Sequence, residues 1–163
     1  MNKNNIKDII EIQLDPFVDH RGEIYTFWKK NNFIEDLNFV HDKFTMSHKN
    51  VLRGIHGDHE STKYVTCAYG ELFYVFVDYR KDSDTYLQWD SVILSQSKKN
   101  AILFPPGVGS AALTLSETSV TCYKLFYPND YPDVKNQFSI KWNDSRLNIE
   151  WPCEKIILSD RDE

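Results

Sequence analysis

An all-β barrel or sandwich is what this sequence predicts, and three observations predict it. Short runs rich in β-branched and aromatic residues recur along the chain: "IIEIQL", "EIYTFW", "KYVTCAY", "ELFYVFVDY", "LQWDSVIL", "AILF" and "SVTCYKLFY". Each is bounded by residues that form turns, which is how half-buried strands are punctuated. Aromatic residues make up 14% of the 163 residues, a content that suits packed sheets.

The elements follow in order. The N-terminal "IIEIQL" reads as a strand able to join a sheet edge, including a neighbouring molecule's. "NNFIEDLN", with Phe33, Ile34 and Leu37 at helical spacing, predicts one short helix. Gly70 and Glu71 separate two strand runs as a tight hairpin would, and "RKDSDT" supplies the next polar turn. "FPPGVGSAALTL" carries paired prolines and two glycines, so it should stop one strand and start another at a corner. The closing "QFSIKWNDSRLNIEWPCEKIILSDRDE" is too polar and interrupted for another long sheet. It predicts an outer wrap anchored by Trp142, Ile149 and Trp151.

Length and composition bound the rest. A chain of 163 residues is the size of one domain, here taken as 1–163, and a hydrophobic content of 41% is enough for a real core. A net charge of -5 provides no basic field for phosphate polymers, so nucleic acid is not an expected partner. No apolar run approaches the ~20 residues that cross a bilayer, and the N-terminus has no signal-like apolar stretch, so no membrane partner and a cytosolic location are expected. Cys67, Cys122 and Cys153 are odd in number and lack a C-x-x-C pair, which predicts reduced packing residues.

The polar residues of "VLRGIHGDHESTKYVTCAY" carry the chemistry. A metal site fits them poorly: His56 and His59 are three apart, whereas strand ligands on one face need even spacing. At the later proline corner Ser110 stands where a third imidazole would be wanted. Strand alternation instead puts Lys63, Val65 and Cys67 on one face. If that face looks into the barrel, Arg53, His56 and Lys63 converge on a cavity that calls for an anionic ligand or a nearby carboxylate.

The blocks "FVDHRGEIYTFW", "VLRGIHGD", "KYVTCAYGELFYVFVDYR", "FPPGVGSAALTLSE", "TCYKLFY", "IKWNDSRLNIEWP" and "LSDRD" resemble, in order and spacing, those of the dTDP-4-dehydrorhamnose 3,5-epimerase family. The resemblance covers nearly the whole chain. It implies a jelly-roll cupin barrel with short peripheral helices, active as a homodimer and needing no metal or other cofactor. The implied substrate is a nucleotide-diphosphate 4-keto sugar, inverted at carbon 3, carbon 5 or both. By motif, His56 is implied as the base, oriented by Asp162, with Tyr123 as the proton donor on the opposite face. Lys63 is implied to stabilise the enolate oxygen, while Arg21 and Arg53 hold substrate and diphosphate.

Those roles are chemically coherent. A proton α to a ketone leaves only if charge developing on oxygen is stabilised, which an ammonium does. A neutral imidazole is a competent base near pH 7, and a carboxylate on its other nitrogen sets the tautomer.

The chain also departs from the family pattern. Asp58 stands in place of a glutamine, and His41, Asp42 and Lys43 in place of Gln-Asp-Asn. Thr26 replaces a glutamate after the Arg-Gly pair, Tyr74 an aspartate, and Ser110, Ala111 and Ala112 a His-Gly-Phe corner. Asp58 and Ser110 therefore join the expected substrate-binding residues. "GIHGD" and the small-residue corner resemble a branch acting on nucleotide-linked heptoses in bacterial capsule pathways, which implies a GDP-linked 4-keto heptose and room for its extra hydroxymethyl group. Two other readings share the fold: a 3,4-ketoisomerase, and a nucleotide-sugar-binding cupin without catalysis.

Overall fold

The computed structural model describes residues 6–30 and 37–163. Its strands are β1 (Ile10–Gln13), β2 (Phe17–Asp19), β3 (Gly22–Ile24), β4 (His41–His48), β5 (Leu52–Gly57) and β6 (Thr62–Tyr69). They continue with β7 (Glu71–Asp78), β8 (Trp89–Ser95), β9 (Asn100–Phe104), β10 (Val108–Thr114), β11 (Thr118–Phe126) and β12 (Phe138–Ser139). Two five-stranded sheets result, ordered β1-β9-β6-β11-β4 and β12-β5-β10-β7-β8, beside the two-stranded β2-β3.

The pairing is nested. β7 pairs with β8, β6 with β9, β5 with β10 and β4 with β11, all antiparallel, as when one long hairpin is rolled onto itself. That is the jelly roll, with pairs alternating between the two sheets. In place of the hairpin expected at Gly70–Glu71, the chain crosses from one sheet to the other, because β6 bonds β9 and β11 while β7 bonds β8 and β10. Gly70 makes that corner with φ +78, where an added Cβ would stand 2.3 Å from the Thr118 carbonyl oxygen.

Three apolar layers explain why several strands are buried along their whole length. Val65, Cys67, Tyr74, Phe76, Phe104 and Val108 fill the space between the sheets. The outer face of the second sheet, with Ile55, Val75, Val77 and Leu113, is covered by the C-terminal segment through Trp142, Leu147, Ile149 and Trp151. The expected outer wrap is therefore present, tacked by Trp89 Nε1 donating to the Leu147 carbonyl at 2.7 Å and Trp151 Nε1 to that of Trp142 at 2.9 Å. Tyr64, Ala101 and Leu103 on the outer face of the first sheet lie under Phe27, Trp28 and Phe39.

Other expectations resolve locally. "RKDSDT" is a turn organised by buried Asp78, which accepts from Arg80 Nε at 2.9 Å, Ser83 Oγ at 2.6 Å and Thr85 Oγ1 at 2.7 Å. β1 pairs with β9 of its own chain. The helix expected over "NNFIEDLN" falls mainly on 31–36, outside the described residues, and Leu37 and Asn38 are not helical. Short peripheral helices are otherwise represented, among the described residues, by one 3₁₀ turn at Val134–Asn136. Cys67 and Cys122 are buried free thiols, pushed by burial up to about 11, which leaves them inert at neutral pH; Cys153 is free and half-buried. No described helix is long and apolar enough to cross a membrane.

Candidate active site

A cavity of about 320 Å³ opens between the sheets at one end of the barrel. One wall is the inner face of the first sheet: Lys43 and Thr45 from β4, Lys63 from β6, Tyr123 and Leu125 from β11. The strand register places Tyr123 directly across from Lys43 and Val65, and Leu125 across from Lys63. The opposite wall comes from the second sheet and its loop, with Arg53, His56, Asp58 and Ser110; the C-terminal Ser159, Arg161 and Asp162 close the rim with Tyr131 and Gln137.

Arg53 and His56 are an odd number of residues apart on one strand, yet both reach the cavity. The reason is a register shift: His56 pairs with Ser110 and Arg53 with Ala112, so the alternation is interrupted between them. Gly54 makes this possible, with φ +124 and a backbone so close to β10 that a Cβ would stand 2.4 Å from the Ser110 carbonyl oxygen.

His56 is held at both ring nitrogens. Nε2 lies 2.5 Å from Asp162 Oδ1, and Nδ1 lies 3.0 Å from Ser139 Oγ. Asp162 is itself fixed by Ser159, whose hydroxyl donates to Oδ2 at 2.8 Å. With the carboxylate accepting from Nε2–H, the imidazole lone pair is on Nδ1, facing a serine hydroxyl free to turn. Burial and the Arg161 charge lower the His56 pKa against the pull of Asp162, so the ring is neutral at pH 7.

Lys63 and Asp58 form the second fixed pair, with Nζ 3.1 Å from Oδ2 and both side chains largely buried. Asp58 also accepts from the Ser61 and Glu60 amides at 2.5 and 3.0 Å. Burial alone would raise its pKa; Lys63 and those amides outweigh it, so Asp58 stays ionised. Its acceptor capacity is thus committed to Lys63 and the loop, which makes it an anchor for the lysine more than a free ligand for substrate.

Tyr123 packs against the inner core, and burial raises its pKa, keeping the phenol protonated at neutral pH. Arg53 lines the cavity and donates from Nε to Ser47 Oγ at 2.9 Å and from Nη2 to the Met46 carbonyl at 3.5 Å. Lys43 donates to the Tyr131 hydroxyl and lies 4.8 Å from that ring's centre. Four cationic side chains, Lys43, Arg53, Lys63 and Arg161, thus face two carboxylates, Asp58 and Asp162, already engaged. An anion is the ligand this balance favours.

Other residues stand apart. Arg21 is exposed at the β2–β3 turn, paired with Asp19, and does not line the cavity of its own chain. His59 packs its ring on Phe138 at 5.2 Å and does not converge with His56. Ala111 and Ala112 are buried, and Tyr74 stands in register opposite Ala112, so of the small-residue corner only Ser110 opens onto the cavity. Sequence reasoning missed Lys43, Tyr131, Ser139, Ser159 and Arg161 as site residues. Ser159 and Arg161 lie inside the "LSDRD" block and were open to inference; Ser139 had no signal, because a lone serine in a polar segment has no period.

This jelly roll thus carries a neutral imidazole on one wall of its cavity and a phenol on the other, groups suited to acid–base chemistry on a bound ligand. The chain belongs to the dTDP-4-dehydrorhamnose 3,5-epimerase family, whose sequence profile matches residues 3–163. It is 37% identical over 161 residues to the dTDP-4-dehydrorhamnose 3,5-epimerase of Salmonella typhimurium, covering 94% of this chain and 86% of that protein. The dTDP-6-deoxy-D-glucose-3,5-epimerase of Legionella pneumophila, solved with dTDP-4-keto-L-rhamnose, superposes with a TM-score of 0.90 at 32% identity, covering 98% and 87% of the two chains. A 3'-monoepimerase from Streptomyces bikiniensis, solved with dTDP-quinovose, superposes with a TM-score of 0.91 at 26% identity, covering 99% and 84%.

Proposed function

We propose that this chain inverts carbon 3, carbon 5 or both of a nucleotide-diphosphate 4-keto sugar. The observation that carries the reading is that His56 and Tyr123 project from different sheets onto one cavity, so a sugar ring between them has a base on one face and an acid on the other. His56, its tautomer set by Asp162, takes the proton α to the ketone. Lys63, held by Asp58, stabilises the enolate oxygen as charge builds on it. Tyr123 returns a proton from the opposite face, and Arg53, Lys43 and Arg161 supply the charge that a diphosphate requires.

The test is incubation with dTDP-, GDP- and CDP-linked 4-keto sugars in deuterium oxide. Deuterium entering at carbon 3, carbon 5 or both supports epimerisation; no exchange with any of them overturns it. Product NMR separates a ketoisomerase, whose carbonyl moves to carbon 3, and binding without exchange identifies a sugar-nucleotide binding module. A dTDP-linked 4-keto-6-deoxyhexose is the first substrate to try, because the relatives are named for dTDP sugars. A GDP-linked 4-keto heptose of capsule synthesis is the second: its support is the motif "GIHGD", while the room once expected at the corner reduces to Ser110.

The same reading includes a homodimer. Phe44 and Met46 are 65% and 66% exposed on edge strand β4, and Phe17, Val18 and Ile24 are exposed on β2–β3, more apolar surface than isolated positions account for. Arg21, at the tip of β2–β3, would contribute to a cavity across such an interface. Light scattering at micromolar concentration checks it; a monomer would count against the dimer and against any role for Arg21.

A further inference from the structure

His56 lies between two serines. On β10 its register partner is Ser110, which faces the cavity; on β12 it is Ser139, which is exposed at the sheet edge. Ser139 Oγ is 3.0 Å from Nδ1, the nitrogen left with the lone pair once Asp162 engages Nε2. The backbone pairing of Ser139 opposite His56 fixes this contact, so it does not depend on a wandering loop.

The proposed chemistry has a consequence for turnover. A base on one face and an acid on the other leave His56 with one proton too many and Tyr123 with one too few after each inversion. Both must be reset before the next substrate. The His56 side chain is only 19% exposed and is flanked by the charges of Arg161 and Lys63, which repel hydrated protons from it. Ser139 touches Nδ1 on one side and solvent on the other.

We propose that Ser139 is the proton exit of His56, linking Nδ1 to solvent at the edge of the sheet. After product leaves, imidazolium Nδ1–H donates to Ser139 Oγ; the N–H bond breaks as an O–H bond forms, and the serine's original proton passes to water. The hydroxyl is regenerated and one proton has moved from imidazolium to solvent. Ser139 acts through His56, not on the sugar, and this inference rests on the epimerase reading above.

The experiment compares wild type, Ser139→Ala and Ser139→Thr in full-length protein, using a dTDP-linked 4-keto-6-deoxy sugar that the wild type turns over. In Ser139→Ala the first turnover should run at the wild-type rate, because His56 starts neutral. Later turnovers should slow roughly tenfold with KM little changed, the scale of losing an outer partner, and added imidazole buffer should restore them. Ser139→Thr, which keeps the hydroxyl, should behave as wild type. A first turnover slowed equally, a kcat that is unchanged, or a loss that buffer does not rescue would each overturn the relay. A readout without substrate separates this failure from that of the epimerase reading: ¹⁵N spectra of the His56 imidazolium should show slower exchange of the Nδ1 proton with water in Ser139→Ala. Equal exchange in both proteins rejects the exit whatever the enzyme acts on.

Discussion

His56 Nε2 and Asp162 Oδ1 lie 2.5 Å apart although 106 residues separate them in the chain. The carboxylate arrives at the end of the C-terminal wrap, after that segment has crossed the outer face of the second sheet on its tryptophans. The geometry of this pair therefore depends on an apolar anchoring that has no chemistry of its own.

Replacing the base should separate chemistry from folding. His56→Ala should abolish deuterium incorporation from solvent, a loss of at least the ~10²–10⁴ that general-base catalysis supplies. Its thermal melt should stay close to wild type, since the side chain belongs to the cavity and not to an apolar layer. Near-normal exchange would make the residue structural.

Tyr123→Phe removes one oxygen and its proton. The variant should still exchange the proton that His56 handles, while full inversion falls by orders of magnitude; NMR of the product resolves the two. If inversion is untouched, another donor serves that face.

The acid limb of activity follows from the direction of the His56 shift. Burial and Arg161 lower its pKa, so the ring remains a free base below its ordinary ~6.5. The acid limb of kcat/KM should accordingly have its inflection below pH 6.5. Asp162→Asn loses the carboxylate that favours imidazolium and mis-sets the tautomer, so activity should fall between wild type and His56→Ala. An inflection above 6.5 in the wild type would contradict the burial argument.

Asp58→Asn should cost stability as well as rate. Lys63 would be left charged and largely enclosed, and breaking a buried pair in this way costs about 3 kcal/mol, at the low end because the pair borders a cavity. Urea denaturation measures it. The pH dependence has a definite sign: the folded pKa of Asp58 is depressed, so its contribution is present above its unfolded value near 3.8 and is lost as pH falls through the folded value. Lys63→Met should remove the enolate stabiliser and lower kcat, and it should also cost stability, because Asp58 would be left buried without its cation.

Gly54→Ala tests the bent strand. A Cβ 2.4 Å from the Ser110 carbonyl oxygen and a backbone at φ +124 leave no room for adjustment. The variant should lose a few kcal/mol of stability, roughly 2–4, and the alignment of Arg53 with His56; a wild-type melt would show that the strand tolerates straightening.

What the sequence by itself determined was local and chemical. Alternation placed Lys63, Val65 and Cys67 on the inner face, the paired prolines marked a sheet change, and the motif blocks pointed to His56, Tyr123 and Asp162, which line one cavity. These signals survive in one dimension because side-chain direction in a strand has a period of two and turn residues have fixed backbone preferences.

Tertiary structure decided the rest. Gly70–Glu71 reads as a hairpin because two apolar runs around a glycine look alike whether they bond to each other or roll into opposite sheets; only the hydrogen-bond partners differ, and those lie far away in the chain. Arg53 and His56 share a wall through a register shift that simple alternation forbids. Asp58 appeared as a ligand group until Lys63 was found to occupy it. Ser139 acquired meaning only when two residues of a polar segment added themselves to the edge of β5. In each case the deciding interaction is long-range pairing, whose partner is selected by the packing of the whole barrel and not by the residues beside it.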